Sequence, residues 1–98
     1  MKIKAFHVSH YKNRESIKRN GLNALSKNYG LIQYGPRVFF SIDKEDLAFD
    51  FVNYENVDCW EFEVDLFEIK KDPFSGSKNH FYIESGVSPD SVILKEYY

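Results

Sequence analysis

A single cysteine, Cys59, leaves no partner for an internal disulfide, so packing and hydrogen bonding alone must hold the fold. Such cysteine usage fits a reducing compartment, and the expected location is the cytoplasm. Long apolar runs are absent too. None approaches the roughly 20 residues of a membrane-spanning helix. The basic, half-apolar start Met1-Lys2-Ile3-Lys4-Ala5-Phe6 leads into no continuous apolar segment of the signal-peptide kind. No membrane association is expected. Neither sign of charge prevails: 13 Lys and Arg stand against 15 Asp and Glu, for a formal net charge of −2. That balance argues against tight non-specific binding to nucleic acid, which needs many phosphates neutralised. It leaves room for a small basic pocket around one pyrophosphate. Metal-ligand spacing is missing as well. The three His and one Cys form neither His-x-x-x-His nor Cys-x-x-Cys, and no Walker-type loop or Gly-x-Gly-x-x-Gly occurs. No metal site is expected.

Aromatic residues are plentiful. Nine Phe and seven Tyr in 98 residues argue for a packed core in one domain spanning 1–98. Residues 2–8 alternate as a strand that becomes more buried toward its end. Asn13 is a good N-cap for a helix of about two turns reaching Asn20, with Glu15 early, Lys18 and Arg19 late, and Ile17 as its one strong apolar anchor. Gly21 suits the left-handed position after the helix, with Leu22 tucking back. Residues 23–36, punctuated by Asn23, Ser26, Asn28, Gly30, Gly35 and Pro36, read as a long loop. Val38-Phe39-Phe40-Ser41 reads as a strand, followed by an Asp43-capped helix with Leu47, Ala48, Phe51 and Val52 on one face. Cys59 to Asp65 alternates cleanly, with Trp60, Phe62 and Val64 inward and an acidic, solvated row of Glu61, Glu63 and Asp65 outward. Residues 81–84 and 92–97 read as two further strands. Strands clustered late in the chain predict an α+β fold with mixed or antiparallel pairing.

Candidate site residues cluster around two strand ends. Period-2 geometry puts His7 and Ser9 on one strand face, about 7 Å apart and within reach of one ligand. Arg37 and Lys27 are suited to a pyrophosphate, Arg through its bidentate fork.

A strand with His-x-Ser, then Ser-Ile-x-x-x-Gly-Leu at 16–22, then a strand with Phe-x-Ser, is an order of short motifs that resembles the ADP-ribosyltransferase-like superfamily, in its short, diphtheria-toxin-type bacterial or phage members. The resemblance spans roughly residues 3–94. It implies a minimal ADP-ribosyltransferase-like α+β fold: two small mixed or antiparallel sheets around a cleft, with two short helices. It implies NAD as substrate, with His7 orienting a ribose, Ser9 and Ser41 supporting it, and Phe39 stacking on nicotinamide where relatives often carry Tyr. Tyr29 and Tyr34 would close the long loop over the ligand, with Arg37 near its phosphates. Active members place a Glu on a late strand; here the acid candidates are Glu84 and, counting back from the Val87-Ser88-Pro89 ending, His80. The implied function is ADP-ribosyl transfer to a protein or nucleic-acid acceptor. The alternative is a degenerate relative that binds a nucleotide or a partner protein without turnover, for instance a phage factor acting against host defence. A Lys-, Asn-, Tyr- and Phe-rich composition fits an AT-rich bacterial or phage genome. NAD, ADP-ribose, a cyclic nucleotide and an RNA end all remain open as ligands.

Overall fold

The computed structural model describes the backbone of residues 1–23, 25–29, 32–47, 56–73 and 75–97, and the side chains of 1–23, 37–45, 56–73 and 75–95. Seven strands are β1 (Lys2–His10), β2 (Leu25–Tyr29), β3 (Ile32–Ser41), β4 (Val57–Asp65), β5 (Lys70–Lys71), β6 (His80–Ile83) and β7 (Ile93–Tyr97), and the one α-helix among the described residues is α1 (Arg14–Asn20). The strands join in one sheet of order β5-β6-β3-β1-β4-β7, with β2 paired to β3, and every pairing is antiparallel. The architecture is thus α+β with antiparallel pairing. Where the sequence suggested two small sheets, the described strands connect into one.

The core lies on one face of this sheet. The β1–β4 ladder sets Ile3, Ala5 and His7 opposite Val64, Phe62 and Trp60, which puts these side chains on a common face. Trp60, Phe62 and Val64 are buried as their alternation predicted, and Val38, Phe40 and Ile83 extend the layer across β3 and β6. Glu63 is exposed on the opposite face, and Lys2 and Lys4 pair with Asp65 and Glu63 across the ladder. Cys59 is fully buried, and that burial, the largest influence, pushes its thiol up.

Helix α1 buries Ile17 alone, as its sequence suggested. It ends at Gly21, whose φ of +75° only glycine adopts easily and whose N–H donates to the Ile17 carbonyl at 2.8 Å. Leu22 then exchanges backbone hydrogen bonds of 2.9 and 2.7 Å with Val87, which anchors the end of the helix to the chain before β7. At the start of α1, Asn13 occupies the cap position but makes no capping bond; its amide is used elsewhere, as described below.

Two expectations need correction. The stretch 23–36 is no loop: β2 and β3 pair through it, from Leu25–Arg37 to Tyr29–Ile32. The two backbones pair once the chain folds back, and that context overrides the punctuating Gly and Asn. The register shift between Leu25 and Lys27 falls opposite Gly35 and Pro36, where proline has no N–H for the ladder. Where an Asp43-capped helix was expected, the described residues form a 3-10 turn, Lys44–Leu47, with Asp43 Oδ1 accepting from the Glu45 N–H at 2.9 Å. Ala48, Phe51 and Val52 lie outside the described residues.

Candidate functional site

Strands β1 and β3 are neighbours, yet they share one paired position, Phe6 with Ser41. Beyond it they border a cavity of about 400 Å³. His7 and Ser9 come from β1, Arg37 and Phe39 from β3, and Asn13, Ser16 and Ile17 from the α1 region. A strand pair that stops pairing exposes backbone groups, and one of them is met by a side chain. The Nδ1 of His7 lies 2.6 Å from the carbonyl oxygen of Phe39. A carbonyl only accepts, so Nδ1 carries the proton and donates. In the neutral ring this makes Nε2 the acceptor nitrogen. His7 thus ties the strands together just past their last ladder pair.

The opposite wall is braced by polar contacts at the start of α1. Asn13 Nδ2 donates to Ser9 Oγ at 3.0 Å. Ser9 pairs across the ladder with Asp58, which is fully buried. Arg14 forks onto that carboxylate, Nε to Oδ2 at 3.0 Å and Nη2 to Oδ1 at 2.7 Å. The bidentate geometry compensates a carboxylate that would otherwise be costly to bury. Neither Arg14 nor Asp58 was singled out in the sequence. They are 44 positions apart, and no local pattern links them.

Arg37 is the one formally charged side chain among the described residues lining this cavity. Its guanidinium carbon sits 4.1 Å over the centroid of the Tyr82 ring, a cation–π arrangement, and Tyr82 also meets Phe39 with ring centroids 5.7 Å apart. Among the described residues the cavity therefore offers one cation, a phenyl ring, an imidazole and several neutral hydrogen-bonding groups.

Other expected site residues lie elsewhere. Ser41 is fully buried and lines no described cavity; its hydroxyl donates to the Asp43 carbonyl at 2.8 Å and accepts from the Asp43 N–H at 3.1 Å. Being at the paired end of β3 commits it to that turn. Glu84 is exposed, just beyond the end of β6, and accepts from Lys70 Nζ. That hydrogen bond and the Lys70 charge hold the Glu84 carboxyl below its ordinary value, with Arg37 adding a smaller pull, and Glu84 in turn raises Lys70. Glu84 lines neither the large cavity nor the next one. His80 lines a second cavity of about 190 Å³, together with Phe6, His7, Phe39, Phe40 and Asp72. Its Nδ1 is 2.6 Å from Ser75 Oγ, while its Nε2 is buried with no hydrogen-bond partner among the described residues. An orphan of this kind costs about 1–3 kcal/mol. Tyr29 and Tyr34 have their backbones in β2 and β3, but their side chains, like that of Lys27, lie outside the described residues.

The sequence thus brought His7, Ser9, Arg37 and Phe39 to one cavity and missed Asn13 and Ser16. The pairing of β1 with β3 depends on contacts distant in sequence, which short motifs do not report. Comparison of the chain with protein-family models, with curated proteins and with solved structures finds no match.

Proposed function

We propose that the chain binds a nucleotide of the NAD class in the cleft between β1 and β3. The observation that carries this reading is the convergence of His7, Ser9, Arg37 and Phe39 on one cavity of about 400 Å³. That volume falls in the usual range for small-ligand pockets, roughly 300–1,000 Å³. Arg37 supplies a phosphate partner. His7, held by the Phe39 carbonyl, places its imidazole ring at the cleft wall where a sugar would lie. Phe39 offers a face to a flat ring. No carboxylate lines this cavity among the described residues, which favours binding without turnover.

A second reading, ADP-ribosyl transfer to a macromolecular acceptor on a minimal ADP-ribosyltransferase-like fold, draws on one observation. Glu84 is near enough to Arg37 to feel its charge, and Lys70 keeps it ionised. An ionised carboxylate is what a developing oxocarbenium charge requires. In that reading Glu84 shifts from Lys70 toward the cleft when ligand binds.

Calorimetric titration of NAD into the protein, with free nicotinamide followed in the same sample, tests both. Saturable binding without nicotinamide supports the first reading, and its weakening by about tenfold in Arg37→Gln supports the phosphate role. Growing nicotinamide that disappears in Glu84→Gln supports the second. No heat at millimolar NAD refutes both.

A further inference from the structure

We infer that the α1 side of the large cavity selects a sugar with free vicinal hydroxyls, and that Asn13 is the residue that sets this selection. The inference rests on the nucleotide reading for the molecule that carries the sugar, and goes beyond it in the residues that do the selecting.

Asn13 and Ser16 stand three positions apart at the start of α1, so they share a helix face, and both are exposed and border the cavity. A cap residue normally has an extended backbone, which aims its side chain at the first N–H groups of the helix. Here the 3-10 turn Tyr11–Asn13 runs straight into α1 and leaves Asn13 at φ −90° and ψ −2°, where it makes no capping bond. Its Nδ2 donates to Ser9 Oγ at 3.0 Å instead, in an exposed position. Ser9 is half-buried and borders the same cavity from β1.

That bond decides what this wall has left to offer. Ser9 Oγ is engaged as an acceptor, so its O–H remains to donate. Asn13 spends one N–H and keeps Oδ1 to accept. Neither group, nor the Ser16 hydroxyl, has a further hydrogen-bond partner among the described residues. A sugar hydroxyl both donates and accepts, so a vicinal pair can answer a donor and an acceptor set side by side. An ionised phosphate only accepts, and would leave Asn13 Oδ1 unmatched. The neighbouring cation, Arg14, is committed to the buried Asp58 by two hydrogen bonds. Phosphate therefore belongs with Arg37 on β3, and the sugar with Ser9, Asn13 and Ser16.

Adenosine monophosphate and its 2′,3′-dideoxy analogue share base and phosphate and differ only in the vicinal hydroxyls. Isotope-labelled protein, wild type and Asn13→Ala, is titrated with each. The expected result is saturable shifts at Ser9, Asn13 and Ser16, with the analogue binding about tenfold more weakly, as the loss of one or two hydrogen bonds implies. Asn13→Ala should weaken the monophosphate toward the level of the analogue and leave the analogue unchanged. Equal binding of the two compounds overturns the selection. A variant that weakens both alike overturns the role of Asn13, since a purely structural effect does not depend on the sugar hydroxyls. An NAD titration run alongside separates the readings. Preference for the monophosphate without NAD binding keeps the sugar wall and removes the dinucleotide. NAD binding with the two compounds equal, or both silent, removes the sugar wall alone, and silence of all three overturns both.

Discussion

Replacing His7 by Ala removes a side-chain bond that crosses from β1 to β3 beside the cleft, the 2.6 Å contact with the Phe39 carbonyl. Because the ladder between these strands has a single paired position, Phe6 with Ser41, no neighbouring ladder pair compensates. The loss is that of a part-buried hydrogen bond to a backbone carbonyl, about 1–3 kcal/mol. A domain of this size loses about 4–8 °C of melting temperature per kcal/mol, so His7→Ala should melt roughly 5–20 °C lower. His7→Asn separates structure from binding. Its side-chain N–H sits near the place of Nδ1 and can still donate to Phe39, but the outer part of the imidazole ring is lost. Calorimetric melting of both variants, followed by NAD titration, gives the assay. The account expects His7→Asn to keep most of the stability and to lose NAD affinity. An unchanged melting temperature in His7→Ala refutes the bridging role, and unchanged affinity in His7→Asn refutes a ligand contact by the imidazole ring.

The Arg14–Asp58 pair should respond unequally to its two halves. Arg14→Ala strands a fully buried carboxylate and should cost about 3–5 kcal/mol by chemical denaturation. Asp58→Asn leaves an arginine whose side chain is 32% exposed and can turn to water, so it should cost less, about 1–2 kcal/mol; the reverse order contradicts the account. Gly21→Ala places a Cβ 1.9 Å from the Val87 carbonyl oxygen at a φ of +75°, and strain plus overpacking, each about 1–3 kcal/mol, should leave it poorly folded by circular dichroism. Glu84 titrates below the ordinary carboxylate range because Lys70 favours its charged form. Its small contribution is therefore present above the unfolded carboxyl value and lost as pH falls through the depressed one, and salt should weaken it because both groups are exposed. Side-chain NMR of Glu84 should show that depressed value and its return toward normal in Lys70→Ala; a Glu84 value insensitive to Lys70 contradicts the pairing.

What the sequence made legible follows from the range of each interaction. β4 announces itself because Trp60, Phe62 and Val64 alternate with charged neighbours, a pattern contained within one strand. The end of α1 is equally local, since Gly21 closes a helix whose single buried residue is Ile17. The β2–β3 pairing was hidden because its strands carry Asn28, Gly35 and Pro36, and their extended form depends on pairing with each other. Ser41 illustrates the limit for the site. Its position two residues after Phe39 is the same whether the hydroxyl faces a ligand or caps a turn, and only the contact with Asp43 distinguishes the two. His7 and Ser9 could be placed together from strand geometry alone. That Arg37 and Phe39 lie across from them depends on a ladder between β1 and β3 that ends after one pair, which no motif encodes.

The central claim is that the β1–β3 cleft holds a nucleotide. Titrating isotope-labelled protein with NAD, with backbone amide shifts and free nicotinamide read in one tube, tests it most directly. The account predicts saturable shifts that map to His7, Ser9, Arg37 and Phe39, with nicotinamide constant. Shifts absent at millimolar NAD, or confined to residues away from β1 and β3, contradict it.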